Sequence, residues 1–371
     1  MRRRRNETSV ELRKAKKDEQ LMKRRNIDVN DDINNDALSD VPASPEQQSS
    51  AAAQPTILSI EQCVNVFTTS TCPNDIQDAA ISIRRLLSKR KDPPVAEVLA
   101  SGIVPYLVKA LDSDDAKTQF EAAWALTNIV SGPSEHTWTV VRMGVIPPLV
   151  KLLGSSDANV TEQATWALGN IVGDCAELRD IVLKSGVLDQ LMKLVHTQIP
   201  ISYLRTLTWA LSNLGRHRNP PVSSEVVKQT LPVMVQLMMH PDNQVSLDAS
   251  WALSYISDGD NDRIQWVIDA GAITVLLKLI ESGEYTLIAP ALRTLGNIVT
   301  GSDLQTQQVI DTNILKTAFP TLLQCEFSNI IKEATWLVSN VAAGTIDQVQ
   351  TLFDNGIIPL ILNLLEKVGT Q

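Results

Sequence analysis

The chain has 371 residues, of which 44% are hydrophobic and 4% aromatic, and its formal net charge at pH 7 is −9. Its four cysteines, Cys63, Cys72, Cys175 and Cys325, lie far apart without a Cys-x-x-Cys pair, which argues against a disulfide scaffold and a zinc site. No stretch approaches the roughly 20 apolar residues that a membrane-spanning helix needs. We therefore expect a soluble intracellular protein with no membrane insertion, no metal and no cofactor.

The first 25 residues form a basic arm on an otherwise acidic chain. They hold seven Arg and four Lys against four acids, a net charge of +7, which leaves −16 for the remaining residues. Taken alone, such a segment is most often a nucleic-acid-binding or membrane-surface arm. Its basic residues are Arg2, Arg3, Arg4, Arg5, Arg13, Lys14, Lys16, Lys17, Lys23, Arg24 and Arg25.

A polar segment, residues 26–56, follows the arm and is rich in Asp, Asn, Ser and Gln. Pro42, Pro45 and Pro55 exclude a long helix, so we predict a disordered acidic and polar linker. About 31 residues of this kind span roughly 30 Å root-mean-square. That reach brings Lys23 to Arg25 back to the body of the chain at an effective concentration on the order of millimolar.

A repeated motif of the form Trp-x-x-x-Asn occupies the body of the chain, and we name its six copies the Trp/Asn ladder. The copies recur at steps of 42, 43, 42, 42 and 43 residues, a constancy that indicates a repeat protein. Tyr255 replaces Asn in one copy, and Arg293 replaces Trp in another. The six pairs are Trp124/Asn128, Trp166/Asn170, Trp209/Asn213, Trp251/Tyr255, Arg293/Asn297 and Trp336/Asn340.

A glycine with the same spacing marks a helix boundary inside most repeats. Glycine suits a left-handed helix cap, and the prolines that follow it suit a first helical turn, where a missing N–H is harmless. Each repeat is therefore predicted to contain a short helix, a second helix after the glycine, and a longer third helix that carries the ladder pair. The glycines are Gly102, Gly144, Gly186, Gly271 and Gly356, with Asn313 in one copy, and the prolines are Pro105, Pro147, Pro232 and Pro359.

A repeat of about 42 residues is typical of armadillo proteins. The predicted fold is all-α, a right-handed superhelical solenoid of armadillo repeats with a flexible basic N-terminal arm. Residues 57–371 would hold about seven repeats, the first of them degenerate, and an eighth that is incomplete. Terminal repeats normally carry a polar cap, so the apolar end of this chain predicts a C-terminal truncation. The apolar residues left uncovered would be Ile357, Ile358, Leu360, Ile361, Leu364 and Leu365.

Helical geometry places each ladder pair on one polar face. At about 100° per residue, Asn128 lies roughly 40° from Trp124, whereas Ala122 and Leu126 fall on the opposite side. Stacked repeats would align these faces into a groove for an extended peptide. An Asn amide can pair with both the N–H and the C=O of such a backbone, and Trp rings attract Lys and Arg by about 0.5 to 2 kcal/mol.

Four acids follow the register of the ladder and predict a preference for basic peptides. Asp174 lies four residues after Asn170, and the other three each lie three residues before a ladder Trp. A single acid is usually a solvated charge, so the shared register carries this interpretation. The three acids are Glu121, Asp248 and Glu333.

On these residues the chain resembles the importin-α family, adaptors that carry proteins bearing nuclear localisation signals. The resemblance covers nearly all of the region predicted to be ordered, and it implies a major signal-binding site in which Asp174 pairs with the critical Lys of the signal. Thr206 departs from the family, which usually has Asn there. The major site would comprise Trp124, Asn128, Ser131, Gly132, Thr137, Gln163, Trp166, Asn170, Asp174, Trp209 and Asn213, and the ladder register adds Asp248.

The minor signal site of that family would be incomplete in this chain. The resemblance carries its first part onto Arg293, Asn297, Glu333, Trp336 and Asn340, whereas its last Trp and Asn would lie on a helix that this chain lacks. Two-part signals are therefore expected to bind less well than in a full-length relative. The region that the family uses to bind its export factor is missing too.

The arm, residues 1–25, resembles the importin-β-binding segment of the same family, and Lys23 to Arg25 resemble a nuclear localisation signal. We therefore predict that the arm competes for the groove of its own chain until importin-β captures it. The resemblance also implies shuttling between cytoplasm and nucleus, with nuclear pore components contacted indirectly.

Three other functions are weighed against this one. An enzyme is disfavoured because the four His residues show no partner spacing and no Gly-rich phosphate loop occurs. A nucleic-acid binder would need a basic face on the repeats, which the charge of −16 outside the arm argues against. An armadillo scaffold for signalling or adhesion is the stronger alternative. Catenin-like grooves, however, are lined with Lys and Arg, whereas Asp and Glu flank this ladder.

Overall fold

The computed structural model describes residues 23–27 and 57–369. The arm residues Arg2 to Lys17 and most of the predicted linker therefore lie outside the described residues. The described chain falls into two compact units, an N-terminal unit of residues 23–27 and 57–199 and a C-terminal unit of residues 200–369. Within these residues all regular elements are helices, apart from one isolated bridge between Arg218 and Pro221. The predicted all-α fold class is confirmed.

The N-terminal unit begins with two helices that have no first helix before them, and groups of three then follow as predicted. The third helix of each group is the longest. The helices are α1 (Ile60–Thr69), α2 (Pro73–Ser88), α3 (Val95–Ala100), α4 (Val104–Ala110), α5 (Ala116–Val130), α6 (Ser134–Arg142), α7 (Ile146–Leu152), α8 (Ala158–Asp174), α9 (Ala176–Lys184) and α10 (Val187–Val195).

The C-terminal unit repeats this order with local departures. It opens on a third helix, and its last two helices are a first and a second helix. The helices are α11 (Ile201–Leu214), α12 (Ser224–Leu237), α13 (Asn243–Ser257), α14 (Asn261–Asp269), α15 (Ala272–Glu281), α16 (Tyr285–Ile298), α17 (Asp303–Ile310), α18 (Ile314–Thr317), α19 (Phe319–Leu322), α20 (Ser328–Val341), α21 (Ile346–Asp354) and α22 (Ile357–Gly369).

Aspartates cap three of the long third helices. Asp115, Asp157 and Asp242 each accept hydrogen bonds from backbone N–H groups in the first turn of α5, α8 and α13. Such caps satisfy donors that the helix cannot pair internally and are worth about 1 kcal/mol each. They fix the first residue of each helix at an equivalent position of its repeat. The ladder residues in the middle of these helices therefore occupy equivalent positions too.

The predicted glycine caps are confirmed. Gly102, Gly144, Gly186, Gly271 and Gly356 all have φ between 67° and 81°, and Asn313, which replaces glycine in one copy, has φ 61°. These are left-handed values that cost a residue with a Cβ free energy. Each of these residues lies where one helix ends and the next begins.

The prediction of three helices per repeat is wrong at residues 216–257. No glycine occurs in register there, and α12 runs unbroken from Ser224 to Leu237 with Pro232 inside it instead of in a first turn. Without a residue that readily turns left-handed, the first and second helices fuse. Proline has no N–H, so the carbonyl of Lys228 loses its intrahelical partner at this point.

The second helix of the repeat at residues 300–341 is also irregular. It is divided into α18 and α19 at Ala318, and Pro320 lies in the first turn of α19. The break agrees with the preference of proline for a helix start, since the ring removes one donor that a continuous helix would need.

The apolar residues predicted to be uncovered at the end of the chain differ in exposure. Ile357 is buried, so the prediction is wrong for this residue, because it packs at the start of α22 beneath α21. Leu365 is 63% exposed, and Ile358, Leu360, Ile361 and Leu364 have intermediate exposure. No helix within the described ranges combines the length and apolar content that crossing a bilayer requires.

Replacing Asp242 with Ala should lower the thermal midpoint at pH 7 by about 2 to 4 °C, because the cap of α13 and the ion pair with Arg205 are both lost. Hydrogen bonds from Arg205 lower the pKa of Asp242 to about 2. The carboxylate therefore stabilises the fold above its ordinary pKa near 3.9, and this contribution disappears as the pH falls towards 2.

Circular dichroism at 222 nm across this pH range would measure the difference from wild type. The matched control is Asp112→Ala, which removes an exposed partner of Lys151 and no helix cap. A difference that stayed constant down to pH 2 would rule out the charge of Asp242 as its cause.

Candidate peptide-binding site

In the N-terminal unit α5 packs between α2 and α8, so the ladder residues of α5 and α8 share one surface. Trp124 and Trp166 are half-buried on it, and Asn128 and Asn170 are buried. The Nδ2 of Asn128 also donates to Ser88 Oγ on α2 at 3.1 Å. The neighbouring helix therefore fixes which way this amide points.

The described segment 23–27 is the end of the arm with the first two residues of the predicted linker, and Asn26 is counted with the arm from here on. This segment lies against the surface and is held through its main chain. Asn170 Oδ1 accepts a hydrogen bond from Arg24 N at 2.8 Å. Asn170 Nδ2 and Trp166 Nε1 both donate to Arg24 O, at 3.0 and 2.7 Å. One ladder pair thus binds the N–H and the C=O of a single arm residue, independently of its side chain.

The same contacts recur two residues later in the arm and one repeat earlier in the ladder. Asn128 Oδ1 accepts from Asn26 N at 2.9 Å, and Asn128 Nδ2 and Trp124 Nε1 donate to Asn26 O at 2.9 and 3.0 Å. The arm therefore advances two residues per repeat. It runs antiparallel to the order of the helices, since the higher arm number meets the lower ladder number.

The ammonium of Lys23 occupies a polar pocket at the C-terminal ends of α5 and α8. Its Nζ donates to Gly132 O at 2.8 Å, to Thr137 Oγ1 at 2.9 Å and to the carboxylate of Asp174. Ser134 Oγ donates to the other oxygen of the same carboxylate. All three protons of the ammonium have an acceptor, which is the full hydrogen-bonding capacity of a lysine.

Asp174 is well suited to this contact because it stays ionised. Burial raises the pKa of the Asp174 carboxyl, but hydrogen bonds from Lys23 and Ser134 outweigh burial and bring the pKa below its ordinary value. Only 2% of the Asp174 side chain and 12% of the Lys23 side chain are exposed. A buried charge of this kind strongly disfavours a neutral partner.

The guanidinium of Arg25 lies at the C-terminal end of α2. Its Nη2 donates to Leu87 O at 2.8 Å and also to Lys89 O. These carbonyls have no N–H partner inside the helix, and the negative end of the helix dipole favours a cation. Burial lowers the pKa of the Arg25 guanidinium, which nevertheless stays charged.

The side chain of Asn26 is a short neutral group in the same surface. Its Nδ2 donates to Gln163 Oε1 at 3.0 Å, and Gln163 Nε2 donates in turn to Thr127 Oγ1 at 2.8 Å. Gln163 therefore presents its oxygen to the arm, where a longer cationic side chain would also find an acceptor.

Of the sequence-predicted acids, Glu121 is already paired within the chain. Arg84 Nε donates to Glu121 Oε2 at 2.7 Å, and both side chains are almost completely buried. The guanidinium carbon of Arg84 also lies 4.7 Å from the ring centroid of Trp124. Glu121 therefore holds an arginine against the ladder and is not an open carboxylate.

The C-terminal unit holds the other residues of the predicted major site. Trp209 is 1% exposed and Asn213 is buried as well. Asp248 is buried and accepts a hydrogen bond from Gln244 Nε2 at 3.0 Å. In the N-terminal unit, Ser131 Oγ bonds back to its own helix at Asn128 O.

The predicted minor-site residues pair among themselves. Arg293 forms an ion pair with Glu333, with Nε 2.6 Å from Oε2, and its guanidinium carbon lies 5.6 Å from the centroid of Trp336. The arrangement repeats that of Arg84, Glu121 and Trp124. Within each unit, one arginine thus neutralises the acid and covers the Trp that follows it.

The two asparagines of the predicted minor site donate hydrogen bonds to the preceding third helix. Asn297 Nδ2 donates to Ser257 Oγ at 3.1 Å, and Asn340 Nδ2 lies 3.4 Å from Gly296 O. A Cβ on Gly296 would lie 2.4 Å from the Trp336 ring, so only glycine lets this ring lie flat on α16.

Sequence reasoning missed several groups that contact the arm or the side chains that hold it. Ser134, which orients Asp174, has no motif of its own, and the carbonyls of Leu87 and Lys89 carry no sequence signal because every residue has one. Arg84 could have been found, since it stands about 40 residues before Trp124, as Arg293 stands 43 before Trp336.

Comparison with known families finds two matches. Residues 1–81 match the importin beta binding domain. Residues 91–131, 133–173, 219–258 and 260–300 match the armadillo/beta-catenin-like repeat. Each armadillo stretch ends with one of the third helices α5, α8, α13 and α16.

Curated relatives share the chain over most of its length. Importin subunit alpha-1a of Oryza sativa subsp. japonica is 42% identical over 364 residues, which are 98% of this chain and 67% of that protein. Importin subunit alpha-2 of Caenorhabditis elegans is 41% identical over 342 residues, 91% of this chain and 64% of that protein. The chain thus spans about two thirds of the length of these relatives.

Solved structures agree with the fold. An engineered protein has a TM-score of 0.75 and 30% identity, over 82% of this chain and 74% of its own. A designed armadillo repeat protein has a TM-score of 0.59 and 25% identity, over 64% of this chain and 99% of its own. The predicted armadillo-repeat architecture is confirmed.

Changing Asp174 to Asn should release the described part of the arm. The ammonium of Lys23 would lose its only carboxylate among the described residues, and breaking a buried ion pair typically costs about 3 to 5 kcal/mol. Hydrogen exchange followed by mass spectrometry should show the amides of Arg24 and Asn26 exchanging about 150- to 5000-fold faster.

The matched control for this experiment is Asp242→Asn in the C-terminal unit, which should leave exchange of the arm unchanged. Equal protection of Arg24 and Asn26 in wild type and in the Asp174 variant would show that the main-chain contacts alone hold the arm.

Proposed function

Because the chain belongs to the importin-α family, we propose that it is a nuclear import adaptor. It binds Lys/Arg-rich nuclear localisation signals on the Trp/Asn ladder and joins the cargo to importin-β through its N-terminal arm. The observation that carries this proposal is the contact of Lys23 with Asp174, directly before the main-chain contacts of Arg24 and Asn26 to the ladder.

The arm contacts define the ligand that the site accepts. Two ladder pairs bind the N–H and C=O groups of every second residue, so they favour an extended peptide of any sequence. The Asp174 pocket selects one lysine. The carbonyl group of Leu87 at the end of α2, which accepts a hydrogen bond from Arg25, adds a preference for a second cation two residues after the lysine. This combination describes a short basic cluster, and Trp209, Asn213 and Asp248 join the proposed site by sequence register.

Occupation of the site by the arm supports autoinhibition. A cargo signal that needs the Asp174 pocket must displace Lys23, which is tethered and therefore locally concentrated. Capture of the arm by importin-β would remove this competitor, so carrier binding and cargo binding favour each other. Shuttling between cytoplasm and nucleus follows from that cycle, with the pore contacted through the carrier.

The minor site is proposed as a partial second contact. Arg293 already neutralises Glu333 and covers one face of Trp336. A second basic cluster would therefore find less uncompensated charge at Arg293, Asn297, Glu333, Trp336 and Asn340 than at Asp174. We expect it to bind the C-terminal unit more weakly.

The alternative, an armadillo scaffold for other peptides in signalling or adhesion, is favoured by no contact in the described residues. Such a groove would present cations to an acidic ligand, whereas this site presents Asp174 to a lysine. An adaptor of the proposed kind also needs no catalytic site and no cofactor.

A fluorescently labelled peptide with a Lys-Lys-Lys-Arg-Lys core tests the binding function directly. Asp174→Lys should abolish binding, since it replaces the attractive charge by a repulsive one, and Trp166→Ala should weaken it about 10-fold through the lost hydrogen bond and ring. Trp266→Ala is the matched control, because Trp266 lies on α14 outside the ladder. If neither Asp174→Lys nor Trp166→Ala changed the affinity for the peptide, the proposed signal-binding site would be wrong.

Deleting residues 1–25 tests autoinhibition separately. Calorimetry with the same peptide should show tighter binding by the shortened chain, because the tethered competitor is gone. Equal affinities with and without the arm would contradict competition in cis while leaving signal binding intact.

Changing Asn26 to Lys should strengthen the arm as a competitor. The longer cation would meet Gln163 Oε1 and the Trp faces, which are worth about 0.5 to 2 kcal/mol, so the full chain should bind peptide about 2- to 30-fold more weakly. The neutral control, Asn26→Gln, should change affinity little. A similar loss for both variants would show that side-chain length, and not charge, is responsible.

A further inference from the structure

Two aromatic side chains of the C-terminal unit are exposed outside the Trp/Asn ladder. Tyr285 is 51% and Phe327 41% exposed, and their ring centroids lie 4.1 Å apart. They stand 42 residues apart, at the starts of the third helices α16 and α20. We name these two residues, with Glu284 and Glu326 beside them, the aromatic patch.

The patch replaces helix caps that occur elsewhere in the fold. At the same position of α13, Asp242 accepts hydrogen bonds from two backbone N–H groups. In α16 the residue before the helix is Glu284, which makes no side-chain cap bond, and in α20 it is Phe327, which has no group to make one. Positions that give up a local stabilising contact are often functional.

The charge around the two rings is negative and uncompensated. Glu284 and Glu326 are exposed and directly precede the two aromatic residues. Among the described residues neither has a salt-bridge partner, and Glu284 accepts a hydrogen bond only from the neutral Asn243, at 3.3 Å. Asp242, by contrast, is paired with Arg205.

We propose that the aromatic patch binds an arginine side chain in a basic segment of a partner protein. A planar guanidinium stacks on aromatic faces and pairs with carboxylates at its edge, so rings flanked by acids match both of its properties. The patch is separate from the ladder, because Tyr285 lies about 12 Å along α16 from Arg293. A partner could therefore be held here while a signal occupies the ladder.

The test uses the full chain carrying Asp174→Lys and Trp336→Ala, so that the ladder contributes little. Labelled hexa-arginine and hexa-lysine peptides are titrated by fluorescence anisotropy. We expect hexa-arginine to bind more tightly than hexa-lysine. The double change Tyr285→Ser with Phe327→Ser should weaken hexa-arginine about 5- to 30-fold. The double change Glu284→Gln with Glu326→Gln, which preserves size, should also weaken it.

Ile201→Ser provides the matched control, because Ile201 is an exposed apolar residue at the same position of α11 without a second ring beside it. It should leave affinity unchanged. Unchanged affinity in both double variants overturns the proposal, and so does equal binding of the two peptides. Loss only on removal of the rings also overturns it, since an apolar partner would then be indicated. Because all variants share Asp174→Lys and Trp336→Ala, any residual binding to the ladder is common to them, so differences between the variants do not depend on the proposed function.

Discussion

The contact between the arm and the N-terminal unit depends on the constant step of the repeat. Asp115 and Asp157 begin α5 and α8 at equivalent positions, and the ladder pairs 42 residues apart then stand side by side. Two residues of extended chain cover roughly 7 Å, close to the spacing of packed helices, roughly 8 to 10 Å. Every second residue of an extended peptide therefore binds one Asn amide through its main chain. The side chains of the peptide can then be recognised independently by other groups.

Selectivity for a cation rests on far fewer groups than the sequence suggests. Four acids share the ladder register, yet Glu121 and Glu333 are neutralised by Arg84 and Arg293 within the chain. Asp174 is different because its cation, Lys23, comes from the segment of residues 23–27, whereas Arg84 and Arg293 lie on the preceding third helices α2 and α16. The pocket is completed by a carbonyl and two hydroxyls, and none of these can replace the carboxylate as a charge.

The departures from a regular repeat have simple local causes. Where glycine is present the chain turns left-handed and two helices form, and where it is missing α12 runs on through Pro232. The absence of a glycine in register was visible in the sequence, but proline nearby suggested a helix start. In α12 the missing left-handed residue, and not the proline, decides that the helix continues. At Ala318, by contrast, α18 ends without a left-handed residue and Pro320 lies in the first turn of the next helix.

The sequence by itself determined the repeat, its all-α character, the glycine caps and the residues of the ladder, because these follow from local periodicity and backbone preference. The ladder register and the resemblance to importin-α also pointed to Asp174 and to Lys23 to Arg25 as partners, and the reach of the linker allowed their contact. Only the tertiary structure decided which acids are already paired, which carbonyls receive Arg25, and where aromatic rings stand exposed. Those facts depend on which side chains of neighbouring helices meet, and residues about 40 apart in sequence carry no local signal of that meeting.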